Sequence, residues 1–172
     1  LCSEEQQLFH DAEAYCMFIR EIEEKDNQEV ESLIRSCLIE FGANKSGTAW
    51  ADPNLGDFYH LYQREGSRYW VVEHNSTVVA GCGIGPVEGF SHICELQKMY
   101  ALKEARGTGI SYELLQISLD FAKEHYEQCY LETLNNMVAA NKFYIKNGFI
   151  ALEEPLNATE HFACDAWYIK TL

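Results

Sequence analysis

The run Arg106-Gly107-Thr108-Gly109-Ile110-Ser111 constrains this chain more than any other stretch, because a strand-like segment enters it and a helix leaves it. Ile93 to Leu102 (ICELQKMYAL) is the entering strand. Between Ser111 and Tyr126 the residues Leu114, Leu115, Ile117, Leu119, Phe121 and Ala122 recur at helical spacing. A glycine-rich turn therefore sits at a helix N-terminus. There the unpaired N–H groups and the positive end of the helix dipole favour an anion, and small residues let it approach the backbone. The turn reads as a cradle for phosphate or pyrophosphate, which points to a phosphorylated cofactor.

Two better-known cradles fail on their spacing. A P-loop needs G-x-x-x-x-G-K-[ST], and no lysine follows Gly109; a dinucleotide fingerprint needs a third glycine, and Tyr112 stands in its place. What remains is R-x-x-G-x-[G/A], with Ser111 in the last position.

A chain of 172 residues with 47% hydrophobic and 13% aromatic content can bury one substantial core and is too short for two ordinary domains. No apolar run approaches the roughly 20 residues of a membrane span, so a cytoplasmic protein without a membrane partner is expected. Residues 1–16 lack a core pattern and are expected to be a leader or a cloning remnant, with the domain spanning 17–172. The seven cysteines form no C-x-x-C pair and no zinc-finger spacing, which predicts reduced thiols and no metal. A net charge of −14 argues against nucleic acid and fits a small or cationic substrate better.

Met17 to Ile22 looks like a first strand. Asp26-x-x-Glu29 predicts a capping box, followed by a helix with Val30, Leu33, Ile34, Cys37, Leu38 and Phe41 on one face and Gly42 as its stop. A loose stretch from Gly42 to Gly66 contains a short aromatic helix near Asp57 to Arg64. Tyr69–Glu73 and Thr77–Ile84 form a hairpin about His74-Asn75-Ser76. After the glycine-loop helix come a strand at Cys129–Thr133, a helix at Val138–Asn147 closed by Gly148, and strands at Phe149–Leu156 and Ala163–Leu172. Hairpins mixed with crossovers predict an α/β (α+β) fold, a mixed sheet with helices on both faces.

Three segments in this order resemble the GNAT (Gcn5-related) acetyltransferases, from about Met17 to the C-terminus. They are ELQKMYALKEARGTGISYELL (Glu95 to Leu115), YLET (Tyr130 to Thr133) and AANKFYIKNGF (Ala139 to Phe149). The chain is most similar to little-characterised bacterial members with a CELQKMY strand and a T-x-H-x-x-C-D segment, here Thr159 to Asp165. The resemblance implies a mostly antiparallel sheet of about seven strands, acetyl-CoA as co-substrate, and a homodimer through the late strands. It implies that Met99, Tyr100 and Ala101 face the pantetheine arm, and that Arg106, Gly107, Thr108, Gly109, Ile110 and Ser111 surround the pyrophosphate. Ser111 departs from the usual small residue, and Met137 stands where many members have an asparagine, with Asn136 beside it.

Acetyl transfer to an amine needs a neutral nucleophile, stabilisation of the oxyanion and a proton for the departing thiolate. By resemblance Tyr144 is the proton donor. Two carboxylates compete as the base: Glu132 on the strand after the cofactor helix and Glu95 on the preceding one, with ordered water as the alternative. A backbone N–H from Met99 to Ala101 meets the oxyanion. His161 and Cys164 precede the final strand; a covalent acyl-enzyme is disfavoured because the thioester is already activated, so they are assigned to acceptor binding with Trp50, Asp52 and Tyr59. The leading function is an acetyl-CoA-dependent N-acetyltransferase acting on a small-molecule or amino-acid-like primary amine by direct attack. The alternatives are a protein N-terminal or lysine acetyltransferase and a non-catalytic CoA sensor. A closed, aromatic groove between the Trp50 segment and the final hairpin would favour the small molecule, one open at both ends the peptide.

Overall fold

The computed structural model describes residues 17–157 and 160–172. The expected leader, residues 1–16, lies outside them, as does Thr159 of the C-terminal segment. The strands are β1 (Met17–Glu21), β2 (Arg68–His74), β3 (Thr77–Val87), β4 (Phe90–Ala101), β5 (Gln128–Thr133), β6 (Ile150–Leu152) and β7 (Ala166–Thr171). The helices are α1 (Asn27–Glu40), α2 (Phe58–Leu61), α3 (Ile110–His125) and α4 (Val138–Lys146). All seven strands join one sheet in the order β1-β2-β3-β4-β5-β7-β6, in which only β4 and β5 run parallel.

Alternation along β2 explains why helices cover both faces. Trp70 and Val72 pack with Leu114, Leu115 and Leu119 of α3, whereas Tyr69 and Val71 pack with Val30, Leu33, Ile34 and Phe58 of α1 and α2. The glycines of β3 belong to this packing: a Cβ at Gly81 or Gly83 would press within 3 Å of the Tyr69 ring atoms. That room lets the Tyr69 hydroxyl donate to the Lys98 carbonyl at 3.0 Å. Between the pairs Gly81↔Tyr100 and Gly83↔Gln97, β4 carries one residue more than β3. The resulting bulge puts Lys98 at φ +52° and re-aims the side chains around it.

Several elements differ from the sequence reading: β3 runs on to Val87, β4 starts at Phe90, α2 is four residues long, and the last two strands are shorter. The sixth strand is three residues long: the Phe149 N–H bonds to the Tyr144 carbonyl at 3.1 Å, and Pro155 has no N–H for a ladder. The last strand starts at Ala166, because Asp165 binds the loop after β5 through the Asn135 N–H at 2.7 Å.

The expected Asp26–Glu29 capping box is replaced by one a turn earlier, between Glu23 and Asp26. Glu29 instead accepts the Val78 N–H at 2.9 Å. The buried Asp26 carboxylate takes the Glu23 N–H at 2.8 Å and both terminal nitrogens of Arg20 at 2.7 and 2.9 Å. Burial alone would push the Asp26 carboxyl up; Arg20 and the Glu23 N–H outweigh it and hold the group below the usual carboxylate range. Asp26→Ala is expected to lower stability by about 3 kcal/mol in denaturant unfolding, because it strands the Glu23 N–H and leaves Arg20 with Glu73 as its remaining carboxylate. With the folded pKa depressed, this stabilisation is complete above about pH 4 and is lost as acid protonates the folded state.

Candidate functional site

The parallel β4–β5 ladder runs only from Ile93↔Gln128 to Glu95↔Tyr130. Beyond it β4 continues to Ala101 and β5 to Thr133, and three adjoining cavities with shared lining residues lie where the strands part. The first, about 290 Å³, is lined by Met99, Tyr100, Ala101, Arg106, Gly107, Ser111, Met137 and Tyr144, among others. A small chamber of about 80 Å³ follows in the splay; it shares Met99, Tyr100, Met137 and Tyr144 with the first and adds Glu95, Glu132, His161 and Cys164. The third, about 470 Å³, shares Glu95, Gln97, Lys98 and His161 with the chamber and reaches Asp52, Tyr62 and Arg64.

The glycine loop opens onto the first cavity. Gly107 and Gly109 have φ of +73° and +90°, conformations in which glycine is unstrained, and a Cβ on either would meet no atom within 4 Å. The Thr108 hydroxyl closes the turn, donating to the Ala105 carbonyl at 2.7 Å and accepting the Ile110 N–H at 3.4 Å. Tyr112 and Glu113 bond back to the Gly109 carbonyl. The N–H groups of Gly107, Thr108, Gly109 and Ser111 have no acceptor among the described residues, so the cradle is made of backbone donors. Ile110 contributes through its position only, since its side chain is buried in the core.

Arg106 does something other than the sequence suggested. Its guanidinium donates to Glu40 Oε1 and Oε2 at 2.8 and 2.9 Å, and its Nε to the Ala101 carbonyl at 2.8 Å. It fastens the end of α1 to the strand beside the cleft, and its charge is already paired. Asn136 does not take the place of the missing asparagine either, because its amide donates to the Phe41 carbonyl at 3.0 Å.

Tyr144 lies in α4 against Phe143, Phe149 and Tyr168, with ring centroids 5.7, 5.8 and 6.2 Å away. Its hydroxyl has no hydrogen-bond partner among the described residues, and the side chain lines both the first cavity and the chamber. Burial pushes its phenol well above the ordinary tyrosine range, so it keeps its proton. Glu95 and Glu132 stand on the two sides of the chamber. Burial, reinforced by the charge of Glu132, raises the Glu95 carboxyl against the opposing hydrogen bond from Gln97 at 2.8 Å. Glu132 accepts the Tyr130 hydroxyl at 2.9 Å.

Sequence reasoning missed Lys98. The bulge turns it towards Asp52 Oδ2 at 2.6 Å, and His161 Nε2 meets Asp52 Oδ1 at 2.8 Å. The signal lay in the adjacent polar residues Gln97 and Lys98, which break the alternation of ELQKMY, but the partner could not be named without the fold. Trp50 and Tyr59 join none of these cavities: Trp50 lies under the Arg35 guanidinium at 4.7 Å, and Tyr59 packs beside α1.

Burial and the charges of Glu132 and Glu95 push the Cys164 thiol up to about 12. A thiol held in its protonated form is a weak nucleophile. Cys164→Ala is therefore expected to keep any acyl-transfer rate within a few-fold, with no acetyl-cysteine found by mass spectrometry of the wild-type protein mixed with acetyl-CoA. Among the described residues no cluster of three or more His, Cys, Asp and Glu is arranged for a metal, and no helix is long and apolar enough to cross a membrane.

Residues 65–151 match the family model of the acetyltransferase (GNAT) domain. YjgM of Escherichia coli K12, an uncharacterised N-acetyltransferase, is 38% identical over 158 residues, which cover 90% of this chain and 94% of YjgM. A GNAT-family acetyltransferase of Staphylococcus aureus Mu50 superposes with a TM-score of 0.78 at 23% identity, over 90% of this chain and 98% of the other. The PaiA N-acetyltransferase of Thermoplasma acidophilum, solved with coenzyme A, superposes with a TM-score of 0.69 at 16% identity, over 91% and 99%. Both structures are similar to this chain in fold.

Proposed function

The chain belongs to the GNAT acetyltransferase family, and from that premise we propose that it transfers the acetyl group of acetyl-CoA to a primary amine of a small, amino-acid-like acceptor by direct attack in a ternary complex. One observation carries this reading: the glycine-loop cavity, the Tyr144 chamber and the Lys98 cavity share walls in sequence through the gap between β4 and β5. A donor lying along the first cavity can present its thioester in the chamber to a nucleophile arriving from the third. Direct transfer needs such a meeting of two sites.

In this reading the N–H groups from Gly107 to Ser111 hold the pyrophosphate, and Met99 to Ala101 face the pantetheine arm. Thr108, Gly109 and Ile110 give the loop its shape, while Arg106 sets the distance between α1 and the strand. A backbone N–H of Met99 to Ala101 meets the oxyanion. Glu95 and Glu132 give the acceptor ammonium its counter-charge as it enters. As the C–S bond breaks, sulfur gains charge in a site poor in water, where its proton affinity rises, and Tyr144 donates to it.

A small acceptor is favoured over a peptide because the groove is closed on the final-strand side. The Ala163 N–H bonds to the Gly47 carbonyl at 2.9 Å, the Phe162 ring lies over Gly47, and His161 is tied to Asp52. An extended chain would have to part these contacts. A thiol-release screen of acetyl-CoA with amino acids, polyamines and short peptides tests the proposal. Turnover is expected with a small amine. Preference for peptides would support the protein acetyltransferase instead, and CoA binding without release on any amine would support the sensor.

A further inference from the structure

Three parts of the chain meet at the wall between the chamber and the third cavity: the β4 bulge, the turn after Ala49–Ala51, and the segment before β7. Their side chains are Lys98, Asp52 and His161, only 13, 17 and 22% exposed. His161 Nε2 lies 2.8 Å from Asp52 Oδ1 and 3.5 Å from Lys98 Nζ. The hydrogen bond from His161 and the charge of Lys98 outweigh burial and keep Asp52 below the usual carboxylate range, so Asp52 has no proton to give. Nε2 must therefore carry the hydrogen that joins the ring to Asp52. In the neutral ring Nδ1 is then the nitrogen with the free lone pair. It has no hydrogen-bond partner among the described residues, while the ring lines both cavities.

We propose that His161 is the general base of the transfer, with Asp52 and Lys98 as positioning residues; this rests on the acetyl-transfer reading above. Asp52 fixes the tautomer and the direction of the ring. Lys98 pairs with the other oxygen of Asp52 at 2.6 Å and so holds that carboxylate in place beside the ring. The amine nitrogen attacks the thioester carbon, the C–S bond breaks, and the amine proton passes to Nδ1. The sulfur takes the Tyr144 proton, and solvent returns the imidazolium proton to the phenolate, leaving amide and free thiol. The two carboxylates are less well placed to accept the proton. Glu95 already accepts a hydrogen bond from Gln97, and Glu132 one from the Tyr130 hydroxyl.

The other titratable groups around the ring are Glu95 and Tyr100 from β4, Glu132 from β5, Tyr144 from α4, Cys164 and Glu160 from its own segment, and Tyr62 and Arg64 across the third cavity. Burial raises Tyr62, Tyr144 and Cys164, so these keep their protons near neutrality. The test is the pH profile of kcat/KM with an amine found by thiol release, alongside CoA affinity as the check that each variant is folded. His161→Gln is expected to lose about 10²-fold at pH 7 and to lose the part of the acidic limb that belongs to the imidazole, its rate then rising with pH only as the fraction of neutral amine. Glu95→Gln should keep that limb. Asp52→Asn leaves Lys98 uncompensated beside the ring, so its limb should move to lower pH, a shift that loss of packing alone would not produce. An acidic limb beyond that of the amine that persists in His161→Gln, disappears in Glu95→Gln, or stays in place in Asp52→Asn overturns the assignment while leaving acetyl transfer intact. Failure of the wild type to release thiol with any amine overturns the transfer reading itself.

Discussion

Gly109→Asp is expected to weaken CoA binding by 10²-fold or more while leaving the protein folded, as measured by calorimetry and by thermal melting of the same sample. Gly109 sits at φ +90° as the residue that opens α3. A side chain there brings a backbone strain of roughly 1–3 kcal/mol and no steric clash with the protein, since nothing lies within 4 Å of the added Cβ. The space it enters is the space an anion must occupy to reach the N–H groups of the loop. Aspartate adds a like charge facing the pyrophosphate, where the helix terminus otherwise favours an anion. Gly109→Trp separates the two causes because it adds bulk without charge, and it should also abolish binding. Normal CoA affinity in a folded Gly109→Trp protein would remove the cradle from the site.

What could be read from the residues was whatever local spacing encodes. The apolar face of α3, the hairpin about Asn75 and the helix closed by Gly148 follow from periods of 3.6 and 2 and from turn chemistry, and each is present, the second strand of the hairpin running three residues further than expected. The two core clusters on opposite sheet faces were implied by the doubly apolar strands. Contacts over long sequence distance were not encoded in this way. Arg106 looked like a phosphate ligand until α1 brought Glu40, 66 positions upstream, against it. Trp50 and Tyr59 come from the loose stretch between Gly42 and Gly66, whose conformation is set by what it packs on. Lys98 owes its direction to a bulge that only strand pairing reveals. The order in which these errors arise is physical: backbone donors at a helix start are local, whereas side-chain partners depend on the whole chain.

Tyr144→Phe should lower kcat by about 10²-fold while CoA affinity stays within a few-fold, because the change removes only the proton donor. The packing should tolerate it. The ring remains against Phe143, Phe149 and Tyr168, and the hydroxyl that is lost has no partner among the described residues, so no donor or acceptor is left stranded. Unfolding in denaturant should therefore change by less than about 1 kcal/mol, which distinguishes loss of chemistry from loss of fold. The leaving group offers a second measurement. A thioester whose thiol is more acidic needs less help from a proton donor, so the deficit of Tyr144→Phe should shrink with an activated thioester in place of acetyl-CoA. Full turnover of Tyr144→Phe with acetyl-CoA would assign the thiolate's proton to water or to another group. A deficit that is the same for both thioesters would assign Tyr144 to packing of the cofactor.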